Sequence, residues 1–542
     1  MTFAFALTIA AALALTTTSC SNEDILTENN GQPQVTTNGV QVTVDAGFDE
    51  ASTRSAVADD GTKRTLKFTT GDRLYVYGEI DASTSVAGYL TMVGSPTNDD
   101  KSAKFTGIVK AYDISGATPV ETAMPAGEDP LALCTHKTTK ATLIHKDLNT
   151  NAISITLGAN VELYTSYMSA ADVATLMTTG LPVQGDYTSG TKSFSLSSTS
   201  PIINCTLSGF EANSSHEVGL YYEAPTVWIQ SFRYTFTADA NGVINVAFVS
   251  SHAGNNNWKL IIGFPSDNYD IPLGTHDLTA KVYNVNRKFV NLANINADYT
   301  AQNNDVLMGT LGGNHKISIA NNATVILNGA NINGSGSLTT ALCAGITCLG
   351  NAKIILADEK TNHAKGLGGA SASDNYPGIF VPAGSTLTIT GKGTLNASCN
   401  SGAYAAGIGG YLNTSCGNIV IEDGIINATG GSSSAGIGGS AGFSESTAVA
   451  CGDITISGGT INATGGSYAP GIGSGCGNSM AATCGNITIT TGVTSVTATK
   501  GSSAPYSIGK GAYATCGTIK IGGTTYNNED NYLKTSPFTY QP

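Results

Sequence analysis

In the last third of the chain the apolar residues fall in short alternating triplets. Ile419–Ile421, Ile454–Ile456 and Ile487–Ile489 each set two isoleucines around one intervening residue. That period of two predicts a strand buried on one face. Glycine pairs at Gly409–Gly410, Gly430–Gly431 and Gly465–Gly466 bound these runs, and glycine accepts the positive φ that tight corners require. No segment carries a helical apolar stripe of useful length. The triplets belong to a larger repeat. CGNIVI at Cys416, CGDITI at Cys451, CGNITI at Cys484 and CGTIKI at Cys516 recur at intervals of 35, 33 and 32 residues. A second apolar stretch follows each of the first three, at Ile425, Ile461 and Ser495, and a small-residue corner recurs around Ile408, Ile437, Ile472 and Ile508. A period between 20 and 50 residues marks a solenoid, whose units bury their apolar faces only by stacking. Two or three short strands per turn predict a right-handed parallel β-helix. The repeat becomes irregular upstream, through Gly384–Ser398, Asn351–Asn362 and Asn322–Gly334.

From Asn38 to about Lys288 the pattern is different. Longer alternating runs such as Val40–Phe48, Arg73–Ile80, Asn151–Leu157, Phe232–Ala238 and Trp258–Phe264 lie between Gly, Asn, Asp and Ser clusters without any repeat. Many such strands predict β-sandwiches. The expected organisation is a signal segment over 1–20, an acidic linker over 21–38, β-sandwich structure over 39–290 and the β-helix over 300–542. The fold class is therefore all-β throughout.

Composition narrows the partners. Only 12% of the 542 residues are charged, 65 are glycine, and the net charge is −13. An acidic chain of this kind lacks the basic face that nucleic acid requires, and its acidity reads first as solubility. The apolar run Phe3–Leu15 is too short to span a bilayer and reads as an export signal. Cys20 after TTTS resembles the lipidated cysteine of a bacterial lipobox, and the following SNED resembles the surface-export signal of Bacteroidetes lipoproteins. The expected location is the outer membrane, lipid-anchored and facing outward. Membrane contact is then through the lipid alone.

Eleven cysteines include Cys20. Cys134 with Cys205 is one conceivable pair in the first half. Cys416, Cys451, Cys484 and Cys516 occupy one equivalent position on successive turns. Stacked strands lie about 4.8 Å apart, less than the roughly 5.5–6 Å Cα separation most common in disulfides. They are expected to form a ladder of buried free thiols that pack as small hydrophobes. Four collinear sulfurs cannot surround a metal ion tetrahedrally.

The first half also carries a resemblance. STRS at Ser52–Ser55, FTTGDRLYVYG at Phe68–Gly78, FTGIV at Phe105–Val109 and LTAKVYNVN at Leu278–Asn286 together resemble the fimbrillin-like proteins of Bacteroidetes. That resemblance implies two transthyretin-like sandwiches, a lipidated precursor and, in polymerising members, removal of the first strand by an Arg-directed protease. Arg54 is then the candidate processing position, with Lys63–Arg64 competing. The second half, through YPGIFVPAGSTLTITGKGTLNAS, the AGIGG and CGNI turns and YLKTSPFTYQP, resembles a β-helical domain of gut-bacterial exported proteins related to a carbohydrate-binding family. Some relatives of that family bind acidic plant polysaccharide with Ca²⁺.

Candidate chemistry is sparse. Hydrolysis of glycosides requires paired carboxylates at a set separation. After Arg287 there is no arginine, and carboxylates are sparse: Asp358, Glu359, Asp374, Glu422, Asp423, Glu445 and Asp453 are the main ones before the tail. Glu422–Asp423 and Asp453 lie one turn apart, but the next turn offers Thr490–Thr491 and Asn486. His315 and His363 have no nucleophile beside them in sequence. No catalysis and no cofactor are expected. Asp358 with Glu359 or Asp374 is an oxygen set that suggests Ca²⁺, without the spacing of a dedicated loop. Binding is the better reading, because aromatic rings stack on the apolar faces of sugars. Tyr404, Tyr411, Tyr468, Tyr506 and Tyr513 lie at or beside the glycine corners, on turns expected to align. The function expected is a surface lipoprotein adhesin, a pilus tip or accessory subunit, that meets a glycan or host ligand and other fimbrial subunits. The rival is a glycan-capture lipoprotein for polysaccharide uptake, and the third reading is a β-helix polysaccharide lyase or hydrolase.

Overall fold

The computed structural model describes residues 39–48, 56–57, 68–127, 129–144, 153–155, 161–163, 183–198, 202–224, 227–249, 254–264, 267–278, 282–313, 315–333, 343–366, 376–399, 404–443, 448–477 and 482–542. Cys20, Arg54, Lys63, Arg64 and Asp374 lie outside the described residues. Among the described residues, regular structure is all strand apart from single 3-10 turns at Leu292–Asn294 and Tyr532–Lys534. No described helix is long and apolar enough to cross a membrane.

The first unit is a sheet that returns on itself. Gly39–Phe48 lies beside Ser193–Ser198, followed in order by Val183–Thr188, Lys137–Ile144, Arg73–Glu79, Thr84–Thr97 and Ser102–Asp113. The last of these pairs back onto Gly39–Phe48, from Gly39 against Lys110 to Gly47 against Ser102. Alternation in the first strand does the rest. Val42, Val44, Ala46 and Phe48 point inward, and Phe48 stacks on Phe68 at 4.3 Å between ring centroids.

The second unit is a sandwich. One sheet holds Ile202–Ser208, Val243–Val249 and Val282–Asn291; the other is the meander Val227–Thr237, Ser215–Ala224, Gly254–Phe264 and Asp267–Leu278. Cys205, Leu207 and Val246 from one sheet share a core with Val218, Leu220, Trp258, Leu260 and Ile262 from the other. Cys134 and Cys205 are separate buried thiols, Cys134 in the first unit's core and Cys205 in the sandwich. The conceivable pairing of the two is therefore corrected. Burial pushes the Cys205 thiol up to about 12, and the Arg287 guanidinium opposes this only in part.

Val282–Asn291 belongs to two structures at once. Val282–Lys288 pairs in parallel with Ile202–Ser208 inside the sandwich. Lys288–Asn291 pairs in parallel with Asp305–Met308, the first turn of the solenoid. From there three walls build up. The first runs through Ala352–Leu356, Thr386–Gly391, Asn418–Ile421, Ile454–Ile456, Ile487–Ile489 and Ile519–Ile521. The second runs through Thr361–Lys365, Thr394–Ser398, Ile425–Thr429, Thr460–Thr464 and Ser495–Thr499. The third begins at Tyr299–Ala301 and continues through Ile317–Ile319, Ile346–Cys348, Ile379–Phe380, Ile408–Gly409, Ile437–Gly438, Ile472–Gly473 and Ile508–Gly509. Each turn sends the same isoleucines inward: Ile454, Ile456, Ile461 and Ile472 stack under Ile487, Ile489, Val496 and Ile508, all fully buried. Burying one such side chain contributes about 1.5–3 kcal/mol. The stack makes one continuous core from Val290 to Phe538.

The far end is closed. Thr524–Tyr526 folds back antiparallel onto Ile519–Ile521, and Phe538–Tyr540 lies antiparallel on Ser495–Thr499. Leu533 and Phe538 plug the last turn. Covering the open edges in this way blocks end-to-end pairing of solenoids.

Turn geometry depends on glycine at one position of the third wall. Gly409, Gly438, Gly473 and Gly509 all have positive φ, and a Cβ on Gly473 would lie 1.8 Å from the Gly509 carbonyl oxygen. Gly473→Ala is therefore expected to destabilise the solenoid by at least about 2 kcal/mol. Gly116→Ala, on open surface, should stay within about 0.5 kcal/mol. Urea unfolding of the full chain checks both, and equal midpoints would show the corner is not constrained.

Candidate binding face

Stacking converts sequence spacing into rows of side chains. The exposed corner before the first wall carries such a row. Asn321 Oδ1 accepts the Asn351 N–H at 3.0 Å, and Asn351 Oδ1 accepts that of Thr386 at 2.9 Å. Further along, Asn418 Oδ1 accepts from Asp453 N–H at 2.8 Å, Asp453 Oδ1 from Asn486 at 2.7 Å, and Asn486 Oδ1 from Thr518 at 2.9 Å. A second row on the second wall links Asn396, Asn427 and Asn462 through amide-to-amide bonds of 2.8 Å, with His363 Nδ1 3.5 Å from the Asn396 amide nitrogen. Asn362, fully buried, accepts from Ala330 N–H and donates to the Thr394 carbonyl.

The carboxylates that first suggest chemistry are engaged in structural contacts. Asp453 is a member of the asparagine ladder. Asp423 caps the Gly424 N–H at 2.8 Å, and Glu422 pairs with Lys353 at 3.0 Å. Asp358 sits in a seam where the solenoid meets the sandwich's outer face, with a cavity of about 400 Å³ that Lys259, Lys353 and Lys392 also line. Burial pushes the Asp358 carboxyl up, while Lys392 and Lys259 partly oppose this. Lys259–Asp270 at 2.5 Å lies on the sandwich side of the seam, and Lys392–Glu223 at 3.6 Å crosses it. Lysine ammoniums around Asp358 would repel a divalent cation, and Glu359 is exposed on a turn with φ +60°. No cluster of three or more metal-ligating side chains occurs among the described residues.

The cysteine position corrects an expectation. Cys484 and Cys516 form a disulfide, with a Cα separation of 4.6 Å. They are directly opposed in register on neighbouring turns, and the 4.6 Å separation still falls inside the accepted range of roughly 4.4–6.8 Å. The common value of that range was the wrong criterion. Cys416 and Cys451 remain buried thiols.

The tyrosines separate into two groups. Tyr506 is only 2% exposed; its hydroxyl donates to Glu529 Oε2 at 2.5 Å, and burial together with that bond raises it to about 12. It is a packing residue and leaves the row. The other four flank the third wall. Tyr411, half-buried, meets Phe380 at 4.9 Å and Tyr376 at 5.5 Å from the preceding turn. Tyr404 meets Phe443 of the next turn edge-on at 5.1 Å. Tyr468 is 46% exposed, and its carbonyl accepts the Ala512 N–H beside Tyr513, which is 78% exposed. Phe443 is also exposed. The corners at Ile379, Ile408, Ile437, Ile472 and Ile508 therefore each carry at least one aromatic ring, with ring contacts joining the first three. Tyr376, Phe380 and Phe443 were missed in the sequence, although Phe380 aligns with Gly409 of the next turn and would stand out once the repeats are superposed.

Comparison with known proteins agrees with the repeat. A family described as the β-helix repeat matches residues 387–410, 419–441 and 454–476. No curated protein matches the chain. Among solved structures, the chain is similar to a protein of Bacteroides ovatus described in terms of cell adhesion, at 13% identity and a TM-score of 0.22, covering 46% of this chain and 92% of that one. It is also similar to a fimbrial protein of Bacteroides ovatus, at 11% identity and a TM-score of 0.19, covering 46% and 50%. The major pilin of Streptococcus pyogenes matches at 12% identity and a TM-score of 0.11, covering 46% and 100%. Likeness at this level carries no function across to this chain.

If Asp453 serves the ladder through its acceptor oxygen alone, Asp453→Asn should leave stability within about 0.5 kcal/mol, as Asn418 and Asn486 already do the same work. Asp453→Ala should cost about 1 kcal/mol by stranding the Asn486 N–H. Thermal melts of the two variants decide this; equal losses would show that the charge matters.

Proposed function

We propose that the protein is a surface adhesin whose solenoid binds glycans through the aromatic side of its third wall. The observation that carries this is the placement of Tyr404 and Tyr411, Phe443, Tyr468 and Tyr513 beside the successive third-wall corners at Ile408, Ile437, Ile472 and Ile508. Exposed rings on a backbone stapled by parallel hydrogen bonds offer a preorganised stacking surface for sugar rings. Neighbouring Ser, Thr and Asn side chains supply hydrogen bonds to hydroxyls. The resemblance of the second half to a carbohydrate-binding family points the same way.

The first unit fits a fimbrial role in one respect. Removing Gly39–Phe48 would open the sheet between Ser102–Asp113 and Ser193–Ser198, leaving a groove that an added strand from another subunit could fill. The covered end of the solenoid suits a tip or stand-alone adhesin better than a repeating shaft. Cys20 would hold the chain to the outer membrane through its acyl chains.

Two tests bear on this reading. On an array of host, mucin and plant glycans, full-length protein should bind, and Tyr468→Ala and Tyr513→Ala should each weaken binding at least about fivefold. Tyr506→Phe should leave it unchanged. Retention of dietary polysaccharide alone would favour the capture lipoprotein over an adhesin, product release would favour an enzyme, and wild-type binding by both alanine variants would place the site elsewhere. For the anchor, Cys20→Ala should release the protein from membranes or stall its processing, because stable attachment relies on several acyl chains. A mutant processed and bound as tightly as wild type contradicts lipidation.

A further inference from the structure

The stack of CGxI cysteines is half oxidised in the structure. Cys484–Cys516 is a disulfide, while Cys416 and Cys451, at the same position of the two preceding turns, are thiols. One backbone hydrogen bond recurs between successive cysteines all along the stack, with Gly485 N–H donating to the Cys451 carbonyl at 3.0 Å. The residue after each partner donates back across the stack: Gly452 N–H to the Cys416 carbonyl at 3.0 Å, and Gly517 N–H to that of Cys484 at 2.9 Å. The Cys416 N–H in turn donates to the Ala450 carbonyl at 2.8 Å, which locks the strand before Cys451. Both thiols are buried, at 4% and 5% exposure. Cys451 is pushed well up, first by its hydrogen bond with the Cys416 sulfur and then by burial. The Cys416 thiol itself donates to the Gly438 carbonyl at 3.3 Å.

Cys451 has two neighbours in the ladder, since it is also in register with Cys484. Cys484 is already joined to Cys516. Cys416 is the remaining partner. We propose that Cys416 and Cys451 form a second disulfide between turns, so that the four ladder cysteines pair as 416–451 and 484–516 and staple the solenoid two turns at a time.

The chemistry is thiol–disulfide exchange. One ladder thiolate attacks a disulfide oxidant, small-molecule or protein-borne, to give a mixed disulfide and release one thiol. The second ladder thiolate then displaces the oxidant's other sulfur. Two thiols lose two protons and two electrons, one S–S bond forms, and the oxidant's disulfide becomes two thiols. Because both ladder sulfurs are shielded in the folded stack, the step belongs to folding, before the turns close. Each bridge removes unfolded-state freedom across a loop of more than thirty residues, which suits a solenoid that must hold its rows in place outside a cell.

The test needs neither membrane nor ligand, so its outcome is separate from that of the adhesin reading. Full-length chain is folded from denaturant in a reduced and oxidised glutathione buffer, quenched with acid, and labelled in denaturant with N-ethylmaleimide without reductant. Mass spectrometry of the digest should find peptides linked 416–451 and 484–516 and no label on these four cysteines. In Cys451→Ala, Cys416 should become labelled while 484–516 stays linked. Labelling of both Cys416 and Cys451 in the wild type, or a 451–484 link, overturns the proposal.

Discussion

Everything in the second half follows from one constraint: each turn must return to hydrogen-bonding register directly over the last. The register is set where Lys288–Asn291, still part of the sandwich, pairs with Asp305–Met308. A one-residue slip in any wall would turn its inward isoleucines out to solvent. Register therefore couples the sandwich core to the solenoid core, and Val306, Met308, Ile326 and Ala357 of the first turns indeed pack into the sandwich's hydrophobic cluster. The chain behaves as one wall that begins in a sandwich and ends under the cover of Phe538.

The same constraint decides what polar residues do. A stacked position is repeated every turn, so a side chain there meets its own counterpart above and below. Asparagine tolerates this well, because its carbonyl accepts from one neighbour while its amide donates to the other, as Asn396, Asn427 and Asn462 show. Asp453 fits one such place by accepting only. Cysteine fits as a small apolar residue or as half of a bridge. Acidic pairs near one another on adjacent turns are thus consumed by structure, through Lys353, the Gly424 N–H and the Asn486 N–H.

The solenoid was legible because its repeat is strict: the Ile-x-Ile triplets, the glycine corners and the CGxI step each land where their spacing puts them. Sandwich strands such as Gly39–Phe48 were legible through alternation. The closure of the first sheet was not, since pairing between Gly39–Phe48 and Ser102–Asp113 joins residues more than fifty apart with no periodic signal. Tyr506 was misjudged because its place two residues before Ile508, rather than four as for Tyr404 and Tyr468, turns it toward Glu529 and the core. The Cys484–Cys516 bridge was missed by weighing strand spacing against a typical disulfide rather than against the full allowed span. The seam lysines around Asp358 come together only through the docking of two domains, which no local pattern records.

A rigid stack is useful to an adhesin only if the rows it aligns are the surface that meets the ligand. Oxidative footprinting of tyrosines in the full chain tests this directly, with and without a mixed digest of mucin and pectin oligosaccharides. The account predicts that bound oligosaccharide protects Tyr468 and Tyr513 first and Tyr404 and Tyr411 more weakly, while Tyr89 and Tyr187 of the first unit are unchanged. Protection confined to the sandwich tyrosines, or none at the third wall, would contradict it.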